Sequence, residues 1–412
     1  MDTPLFLTYV NFKKDSYIVV EGKRNADRFF IIRRGKVRIS KAVEVVEEEE
    51  GNILGPGDFF AVISTMSGHS HIETAQALTD VVLISVHREQ YGELIQKNTA
   101  VAMKIIFQFS RRMRYLDEAL TRLTLKNTSE DNVSQLFFVG EYYAKISQFN
   151  LAFCAYSRYL KYCPQGKDFD TARQRMMKIA PYVKAVPEEF PPNVSIRKYA
   201  KGTMIFSEGE PGDELYIIQT GSVKIVKIAD NKEVLLAVLK IGDIFGEMAL
   251  LESRLRTACA VAYEDCVLLM VSRANFARMV ATQPQIAARL TTLLSERLWF
   301  IYKQIANTLI EDPLGRIYDA LLIRLEKNRV DTGIQQSYLF DFGLNELINM
   351  VGLSPVEGNQ VIKKLMSTRN IQLINGKIYA LDVFEIAKQT QYYRNIQRIK
   401  KSRRRVSQKA GP

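Results

Sequence analysis

A glutamate and an arginine nine residues apart, Glu247 and Arg256, follow a glycine-containing stretch of the chain. Glu247 offers two acceptor oxygens to hydroxyl groups, and the guanidinium of Arg256 offers a fixed fork of donors suited to a phosphate. Gly246 allows backbone to approach a ligand closely, and the residues after Glu247 can form a helical turn with free N–H groups. Each residue singly also fits a surface side chain beside a glycine turn. Together they indicate a site for a cyclic nucleotide.

The elements that must position these residues come in two copies. The first copy matches the second at residues 17–22 and 204–209, 29–39 and 215–225, and 57–60 and 242–245, about 185 positions apart. Each copy has short runs of Val, Ile, Phe and Tyr between glycine turns, which is typical of a small antiparallel roll. The sequence therefore predicts an α+β protein with two jelly-roll-like antiparallel β-rolls, each followed by a long helix.

The two long helices are predicted at about residues 96–125 and 284–310. The apolar residues of the first helix alternate between spacings of four and three, and those of the second helix recur every three or four residues. They include Ala102, Ile106, Phe109, Met113 and Leu116 in the first helix, and Leu290, Leu294, Leu298, Ile301 and Ile305 in the second. Such a seam requires a partner helix. The two helices either pair with each other, as an intramolecular pseudo-dimer, or pair with a second chain in a homodimer.

A helical insert is predicted between the two copies, at about residues 130–183. Its pattern follows the spacing of a tetratricopeptide unit, a helical hairpin with small residues where the helices cross. The residues of this pattern are Leu136, Val139, Gly140, Tyr143, Ala152, Tyr156, Tyr159 and Pro164. One unit cannot bury its apolar face alone, so we expect it to pack on its neighbours as a spacer rather than to form a peptide-binding groove.

Residues 242–258 resemble the phosphate-binding cassette of cyclic-nucleotide-binding domains, with its Phe-Gly-Glu-x-Ala-Leu opening, its spaced arginine and its Thr-Ala ending. The resemblance implies that Glu247 binds the ribose 2′-hydroxyl and that Arg256 binds the cyclic phosphate. It also implies that the amides of Ala249 and Leu250 bind the exocyclic oxygens. The predicted ligand-binding residues are Gly246, Glu247, Met248, Ala249, Leu250, Arg256, Thr257 and Ala258.

The identity of the ligand stays open between cyclic AMP and cyclic GMP. Thr257 resembles the position where a hydroxyl reaches the guanine amino group in cyclic-GMP-binding members, but cyclic-AMP binders also carry Ser or Thr there. Trp299 and Tyr302, on the second long helix, either stack on the base or serve core packing or dimer contact, and the second role is the favoured one. No separate cofactor is expected.

The first copy departs from the cassette. Phe60-Ala61 stands where the pattern has Gly-Glu, and Glu73 stands where the arginine precedes Thr74-Ala75. A carboxylate in place of a guanidinium repels a phosphate. We therefore expect the first roll not to bind cyclic nucleotides in the family manner. It is structural or pairs with the second roll, and a different ligand is the minor alternative.

The C-terminal part of the chain has the pattern of a winged helix. A short helix and a tight turn over residues 344–354 precede a second helix capped by Ser354, with Pro355 and Glu357 in its first turn. An Asn375-Gly376 turn then predicts a hairpin. With the roll and long helix before it, residues 195–385 resemble the catabolite-activator family of bacterial transcription regulators, which implies DNA binding.

The second helix departs from that family at the positions that usually read bases. Pro355, Val356 and Gln360 stand there, and Gly358 weakens the helix. Asn359 and Gln360 can read adenine, and lysines or arginines can contact phosphates. The predicted DNA-binding residues are Ser354, Asn359, Gln360, Lys363, Lys364 and Arg369. The leading hypothesis is a cyclic-nucleotide-responsive bacterial transcription regulator. The alternative is a nucleotide-sensing adaptor whose winged helix and insert bind protein.

Composition adds limits to these hypotheses. The chain has four cysteines without CxxC spacing, no apolar run long enough to span a membrane and no secretory leader, which predicts a reduced, cytoplasmic protein. The net charge of +12 is concentrated after Glu385. This tail attracts nucleic acid or an anionic membrane surface, or is simply a solvated segment. No P-loop, GxSxG or HExxH motif is present, so we expect no enzyme.

The predicted domain order follows from these patterns. The domains are residues 1–126, the first roll and its helix; 127–185, the insert; 186–310, the cyclic-nucleotide-binding roll and its helix; 311–385, the winged helix; and 386–412, the basic tail.

Overall fold

The computed structural model describes residues 7–41, 52–124, 133–184, 190–191, 194–229, 232–252, 254–353 and 355–409. The chain divides into two compact units. The first unit comprises Met1–Glu89, Tyr115–Lys126 and Ser295–Pro412, and the second comprises Gln90–Arg114 and Asn127–Leu294. Each unit therefore contains one β-roll together with parts of both long helices.

Strands and helices alternate along the chain in blocks. The strands are β1 Thr8–Phe12, β2 Tyr17–Val19, β3 Arg28–Arg34, β4 Val37–Ser40, β5 Ile53–Leu54, β6 Phe59–Phe60, β7 Thr74–Ala77, β8 Val81–His87, β9 Ile196–Tyr199, β10 Met204–Phe206, β11 Glu214–Thr220, β12 Val223–Ala229, β13 Lys232–Leu239, β14 Ile244–Phe245, β15 Cys259–Ala262, β16 Cys266–Ser272, β17 Tyr338–Leu339, β18 Ile371–Ile374 and β19 Lys377–Ala380. The helices are α1 Val62–Ser67, α2 Tyr91–Lys97, α3 Thr99–Thr124, α4 Gln135–Lys145, α5 Phe149–Tyr162, α6 Phe169–Ile179, α7 Glu247–Glu252, α8 Arg273–Thr282, α9 Pro284–Thr308, α10 Pro313–Lys327, α11 Leu344–Met350, α12 Pro355–Ser367 and α13 Val383–Lys409.

The two rolls have the same sheet topology. The first roll has antiparallel sheets of order β1-β8-β3-β6 and β2-β7-β4-β5, and the second has sheets of order β9-β16-β11-β14 and β10-β15-β12-β13. In β4 the buried residues Val37 and Ile39 alternate with exposed Arg38 and Ser40, as the two-residue period of a strand requires. The two antiparallel rolls predicted from the repeat are confirmed.

The apolar seams of the long helices α3 and α9 are buried within the single chain. The predicted seam residues of α3 from Ala102 to Leu116 are at most 3% exposed, and those of α9 from Leu290 to Ile305 are at most 8% exposed. Burial of these side chains removes apolar surface from water.

The insert consists of helices α4, α5 and α6, which pack on the second roll. Buried residues of the insert form one apolar cluster with residues of the β10-β15-β12-β13 sheet. The sheet residues of this cluster are Met204, Val226, Ile228, Cys259 and Val261. The insert therefore covers its apolar face with the adjacent roll.

The C-terminal block contains α10 to α13 and a sheet of order β17-β19-β18. The β18–β19 hairpin turns at Asn375 and Gly376, whose φ angles of 49° and 77° are those of the expected turn. Gly358 lies where a Cβ atom would approach Ile348 within 2.8 Å, so this glycine lets α12 pack closely on α11. Among the described residues, no helix has the length and apolar character needed to cross a bilayer.

The basic tail is helical through Lys409, since α13 continues without interruption from Val383. Arg394 of this helix donates to the buried carboxylate of Asp319, at 2.9 Å from Nε and 2.5 Å from Nη2. This arginine therefore anchors α13 to α10, and its charge is already paired within the fold.

Candidate ligand site of the second roll

Gly246 places the start of α7 beside the guanidinium of Arg256. The glycine has a φ of 79°, a left-handed conformation in which a side chain is strained. A Cβ atom there would lie 2.7 Å from Arg256 Nη1 and 3.3 Å from the carbonyl oxygen of Glu214. Both the conformation and the space therefore require glycine between β14 and α7.

Arg256 is buried, with 4% of its surface exposed. Its Nη1 donates to the Gly246 carbonyl at 2.6 Å, and its Nη2 donates to the Glu214 carbonyl at 2.8 Å. The guanidinium carbon lies 4.2 Å from the centre of the Phe206 ring. Within the part of the chain that the structure describes, the buried Nε has no hydrogen-bond partner.

The main chain of Arg256 is fixed by the loop between β10 and β11. The Gly209 amide donates to the Arg256 carbonyl at 2.9 Å, and the Arg256 amide donates to the Glu210 carbonyl at 2.8 Å. A Cβ atom on Gly212 would lie 2.3 Å from Arg256 Nε, so the glycine of this loop makes room for the guanidinium. The Glu-Gly-Glu-x-Gly lead-in of the sequence thus holds the arginine from both sides.

The other predicted ligand residues lie in α7 or directly after Arg256. Glu247 begins α7, and its side chain is buried beside Gly246. Ala249, Leu250 and Ala258 are also buried, whereas Met248 and Thr257 are partly exposed. The Ala249 carbonyl accepts a hydrogen bond from Arg273 Nη2 at 3.2 Å, which ties α7 to the start of α8.

Sequence reasoning missed several residues that surround Arg256. Its guanidinium lies over the ring of Phe206 and next to the Cα atom of Gly212, and it donates to the carbonyl oxygen of Glu214. Gly212 had a signal, because it lies in the family's lead-in. The contact of Phe206 with Arg256 and that of Arg273 with Ala249 had no signal in the sequence, since they depend on how strands and helices meet in space.

Trp299 and Tyr302 of α9 lie in the compact unit of the first roll. Trp299 Nε1 donates to the Ser70 carbonyl at 3.2 Å, and its ring stacks on His69 at a centroid distance of 4.0 Å. Lys41 Nζ donates to the Tyr302 hydroxyl at 3.1 Å. Both aromatic residues therefore serve packing against the first roll, the favoured alternative of the sequence analysis.

The hydrogen-bond register corrects the predicted alignment of the first roll. Gly22 donates to the His71 carbonyl, and His71 donates to the Lys23 carbonyl, as Gly209, Arg256 and Glu210 do in the second roll. His71 therefore occupies the position of Arg256, and the assignment of Glu73 to that position was wrong by two residues.

The start of the first cassette also shifts. Phe60 pairs with Phe30 as Phe245 pairs with Tyr216, so Ala61 and the residue after it occupy the Gly-Glu positions. The prediction that Phe60-Ala61 stands there was wrong by one residue. The corrected positions still carry neither glutamate nor arginine.

Comparisons with known proteins agree with this geometry. The family model of the cyclic nucleotide-binding domain matches residues 9–98 and 196–283. The cAMP-activated global transcriptional regulator CRP of Pasteurella multocida is 33% identical over 148 residues, which are 35% of this chain and 71% of that protein. The regulator of the same name in Salmonella typhimurium is 31% identical over 192 residues, 46% of this chain and 90% of that protein. The chain belongs to the cyclic AMP receptor protein family.

Members of the cyclic AMP receptor protein family have also been solved as structures. The catabolite activator protein of Thermus thermophilus is 28% identical, with 48% of this chain and 90% of that chain covered and a TM-score of 0.28. Each of these alignments leaves more than half of this chain unmatched. The chain therefore carries a large additional part beside its family region.

The helix that resembles the DNA-reading element of the cyclic AMP receptor protein family is α12. Asn359, Gln360, Lys363 and Lys364 are exposed on it, and Arg369 is exposed just beyond its end. Val361 and Leu365 form its buried face. The predicted cap Ser354 lies outside the described residues. The spacing of three and four places the four polar side chains on one open face.

Proposed function

We propose that this chain is a cyclic-nucleotide-responsive transcription regulator whose ligand binds in the second roll, at residues 186–310. The observation that supports this most is Nε of Arg256, which is buried beside Gly246 and Gly212 and has no hydrogen-bond partner among the residues that the structure describes. A buried donor without an acceptor costs about 1–3 kcal/mol, and more when the group is charged. A phosphate oxygen of the ligand removes this cost and adds a charge-assisted hydrogen bond.

The remaining residues of the cassette complete the site. Glu247, adjacent to Gly246, accepts from the ribose 2′-hydroxyl, and the amides of Ala249 and Leu250 donate to the exocyclic oxygens, as the resemblance to the family implies. The relatives are described as cAMP-activated, which favours cyclic AMP as the ligand of this chain. Thr257 keeps cyclic GMP as the alternative to be measured.

The output is DNA binding through the winged helix formed by residues 311–385. The exposed face of α12 supplies Asn359 and Gln360 for base edges, and Lys363, Lys364 and Arg369 for phosphates. Ser354, the predicted cap of this helix, is proposed as a DNA-binding residue from the sequence alone. Phosphate contacts weaken with added salt, so the affinity for DNA falls steeply as salt rises.

The regulator is assigned to the cytoplasm, and both assemblies of the sequence analysis remain proposals, an intramolecular pseudo-dimer of the two rolls and a homodimer. Sedimentation of the full chain separates them, because a pseudo-dimer sediments as a monomer and a homodimer has twice that mass.

Calorimetry on the full chain tests the ligand assignment. Cyclic AMP, cyclic GMP and a cyclic dinucleotide are titrated into the wild type, Arg256→Ala and Arg254→Ala. Arg254 is exposed two residues away and serves as the matched control. We expect Arg256→Ala to lose about tenfold to 150-fold in affinity and Arg254→Ala to match the wild type. Wild-type protein that binds none of the three ligands would contradict the proposal.

A protein-binding output is the second candidate, and one observation favours it. Val356, in the first turn of α12, is 71% exposed where the family usually places a polar base-reading residue. An exposed apolar side chain at that position suits contact with protein. Gel shifts with random and selected DNA, with and without nucleotide, separate the two. DNA affinity equal to that of a 383–412 peptide would favour the adaptor.

A further inference from the structure

Arg158 of α5 links the insert to the loop between β10 and β11 that holds Arg256. Its Nη2 donates to the carbonyl oxygens of Met204 and Ile205 in β10, at 3.2 and 2.9 Å. Its Nη1 forms an ion pair with Glu210 Oε2 at 3.0 Å. Only 17% of the Arg158 side chain and 14% of the Glu210 side chain are exposed, so this ion pair is weakly screened by solvent.

Glu210 belongs to the turn that holds Arg256. Its Oε2 also accepts from the Ser207 amide at 2.9 Å, while its carbonyl oxygen accepts from the Arg256 amide at 2.8 Å. The same turn contains Gly209, whose amide donates to the Arg256 carbonyl. A chain of three bonded residues thus leads from the insert, through the turn, to the arginine of the cassette.

We propose that Arg158 is a positioning residue for nucleotide binding, and that the insert supports the ligand site instead of serving as a spacer. This inference rests on the proposed function of the second roll. Arg158 holds Glu210, and Glu210 holds the turn that sets the position of the Arg256 main chain. If the turn is already ordered before the nucleotide binds, binding does not include the entropic cost of ordering it. The affinity for the nucleotide is therefore higher.

The insert holds the roll at further points along the same face. Tyr143 Oη donates to Glu233 Oε2 at 2.8 Å, and the Glu233 amide donates to the Tyr142 hydroxyl at 3.0 Å. These hydrogen bonds hold α4 against β13. Because α5 packs on α4, they also fix the position of α5 relative to β10. Arg158 therefore acts from a rigid base, a requirement for a side chain that positions another one.

The first roll provides an internal comparison. Its turn carries Lys23 at the position of Glu210, as the shared hydrogen bonds to His71 and Arg256 show. A lysine there cannot pair with an arginine. The acidic partner thus occurs in the roll that the insert covers and that keeps the cassette arginine, and it is missing from the roll whose cassette is degenerate.

Calorimetry with cyclic AMP and cyclic GMP tests the proposal on full-length variants. Arg158→Met removes the charge and keeps the chain length, Arg158→Lys keeps the charge, and Glu210→Gln keeps the Ser207 acceptor without the ion pair. Arg175→Met removes an exposed ion pair with Glu141 elsewhere in the insert and is the matched control. Hydrogen exchange at the Gly209 and Arg256 amides is measured on the ligand-free proteins.

We expect Arg158→Met to weaken nucleotide binding about tenfold, with Arg158→Lys restoring part of the loss and Arg175→Met showing none. Exchange at the two amides should become faster in Arg158→Met, and adding Glu210→Gln should cost nothing further. Wild-type affinity together with wild-type exchange in Arg158→Met would overturn the inference. If Arg158→Met does not fold, wild-type affinity and exchange in both Arg158→Lys and Glu210→Gln would overturn it. If the wild type binds no nucleotide, the proposed function fails, and the exchange rates alone decide whether Arg158 positions the turn.

Discussion

The two rolls share one backbone frame and differ in the chemistry that the frame carries. In the first roll, Ile32 donates to Asp58 and Gly57 donates to Ile32. In the second roll, Ile218 donates to Asp243 and Gly242 donates to Ile218. Strands β3 and β11 even have their register shift at the same place, before Arg34 and before Thr220. Hydrogen bonds between backbone groups depend little on side chains, so the frame tolerates exchange of the residues it holds.

The exchanged residues remove the anion site from the first roll. Ala61 stands in the position of Gly246, with a φ of 66° despite its side chain. His71 stands in the position of Arg256, and burial lowers the pKa of its imidazole, which keeps it neutral. The amide of Ala61 donates to Glu73 Oε1 at 2.8 Å. A carboxylate of the chain itself thus occupies the start of α1.

The difference between Glu73 and Arg256 separates a buried charged group that stabilises the fold from one that is available to a ligand. Glu73 is 6% exposed, and its carboxylate accepts a hydrogen bond from the Ala61 amide. The buried anion of the first roll is therefore stabilised by a donor of the same roll. Arg256 is 4% exposed, and its Nε is unpartnered within the described residues. Within the described residues, the second roll thus leaves a guanidinium donor without a partner, whereas the unpartnered atom at the matching position of the first roll is Nδ1 of His71, an imidazole whose pKa is lowered by burial.

The largest expected effect concerns stoichiometry. We expect the wild type to bind one cyclic nucleotide per chain, with Arg256→Leu losing about tenfold to 150-fold in affinity. His71→Leu, the same change at the matching position of the first roll, should leave the stoichiometry at one. Calorimetric titration measures both values. A second bound nucleotide that disappears in His71→Leu would mean that the first roll is also a receptor.

The second effect concerns the stability of the first roll. Glu73→Ala leaves the buried Ala61 amide without its acceptor and should cost about 1.5–3 kcal/mol of unfolding free energy. Nucleotide affinity should stay the same, because the altered site is not the ligand site. Thermal unfolding of the variant is compared with Glu89→Ala, an exposed glutamate of the same unit. Equal melting temperatures for the two variants would show that Glu73 is not a structural anion.

Local signals in the sequence predicted most of the frame. The glycine turns, the alternating strands and the Asn375-Gly376 hairpin are properties of a few adjacent residues, and they predicted the elements that the structure contains. The Gly246-Glu247 and Arg256 spacing was equally local. Alignment of the first cassette failed because Thr74-Ala75 looks like Thr257-Ala258, whereas the strands pair Ala75 and Ala260 with equivalent partners.

Contacts between distant parts of the chain could not be predicted. Arg158 and Glu210 are 52 positions apart, and neither belongs to a motif that names the other. The insert was therefore interpreted as a spacer, because its own pattern describes only how its helices meet each other. The stack of His69 on Trp299 is equally invisible in the sequence, since the two residues are 230 positions apart.

The third effect concerns substitutions of the residue before each short helix, Gly246 before α7 and Ala61 before α1. Gly246→Ala places a Cβ atom 2.7 Å from Arg256 Nη1 at a φ of 79°, so it should weaken nucleotide binding by about tenfold. Ala61→Gly relieves the left-handed strain in the first roll and should stabilise it by up to about 1 kcal/mol. Calorimetry and thermal unfolding measure the pair. Similar changes in both rolls would mean that the two positions are equivalent in chemistry as well as in backbone.

The smallest expected effect is a dependence of the first unit on pH. Burial and the charge of Arg329 lower the pKa of His69 to about 4, and burial also lowers the pKa of His71. Between the ordinary histidine value and pH 4, the unfolded chain therefore binds protons that the folded chain does not bind. Stability is unaffected above that window and falls as the pH drops through it.

The contribution of His69 to this loss is limited by its partial exposure, because solvent screens its charge, so we expect His69 to account for at most about 1 kcal/mol between pH 7 and pH 5. Melting temperatures at the two pH values measure it in the wild type and in His69→Gln, which should lose part of the difference. Gln283→Ala, on the exposed end of α8 in the second unit, is the control. An unchanged difference in His69→Gln would assign the pH dependence to other groups, because a glutamine side chain does not bind a proton in this pH range.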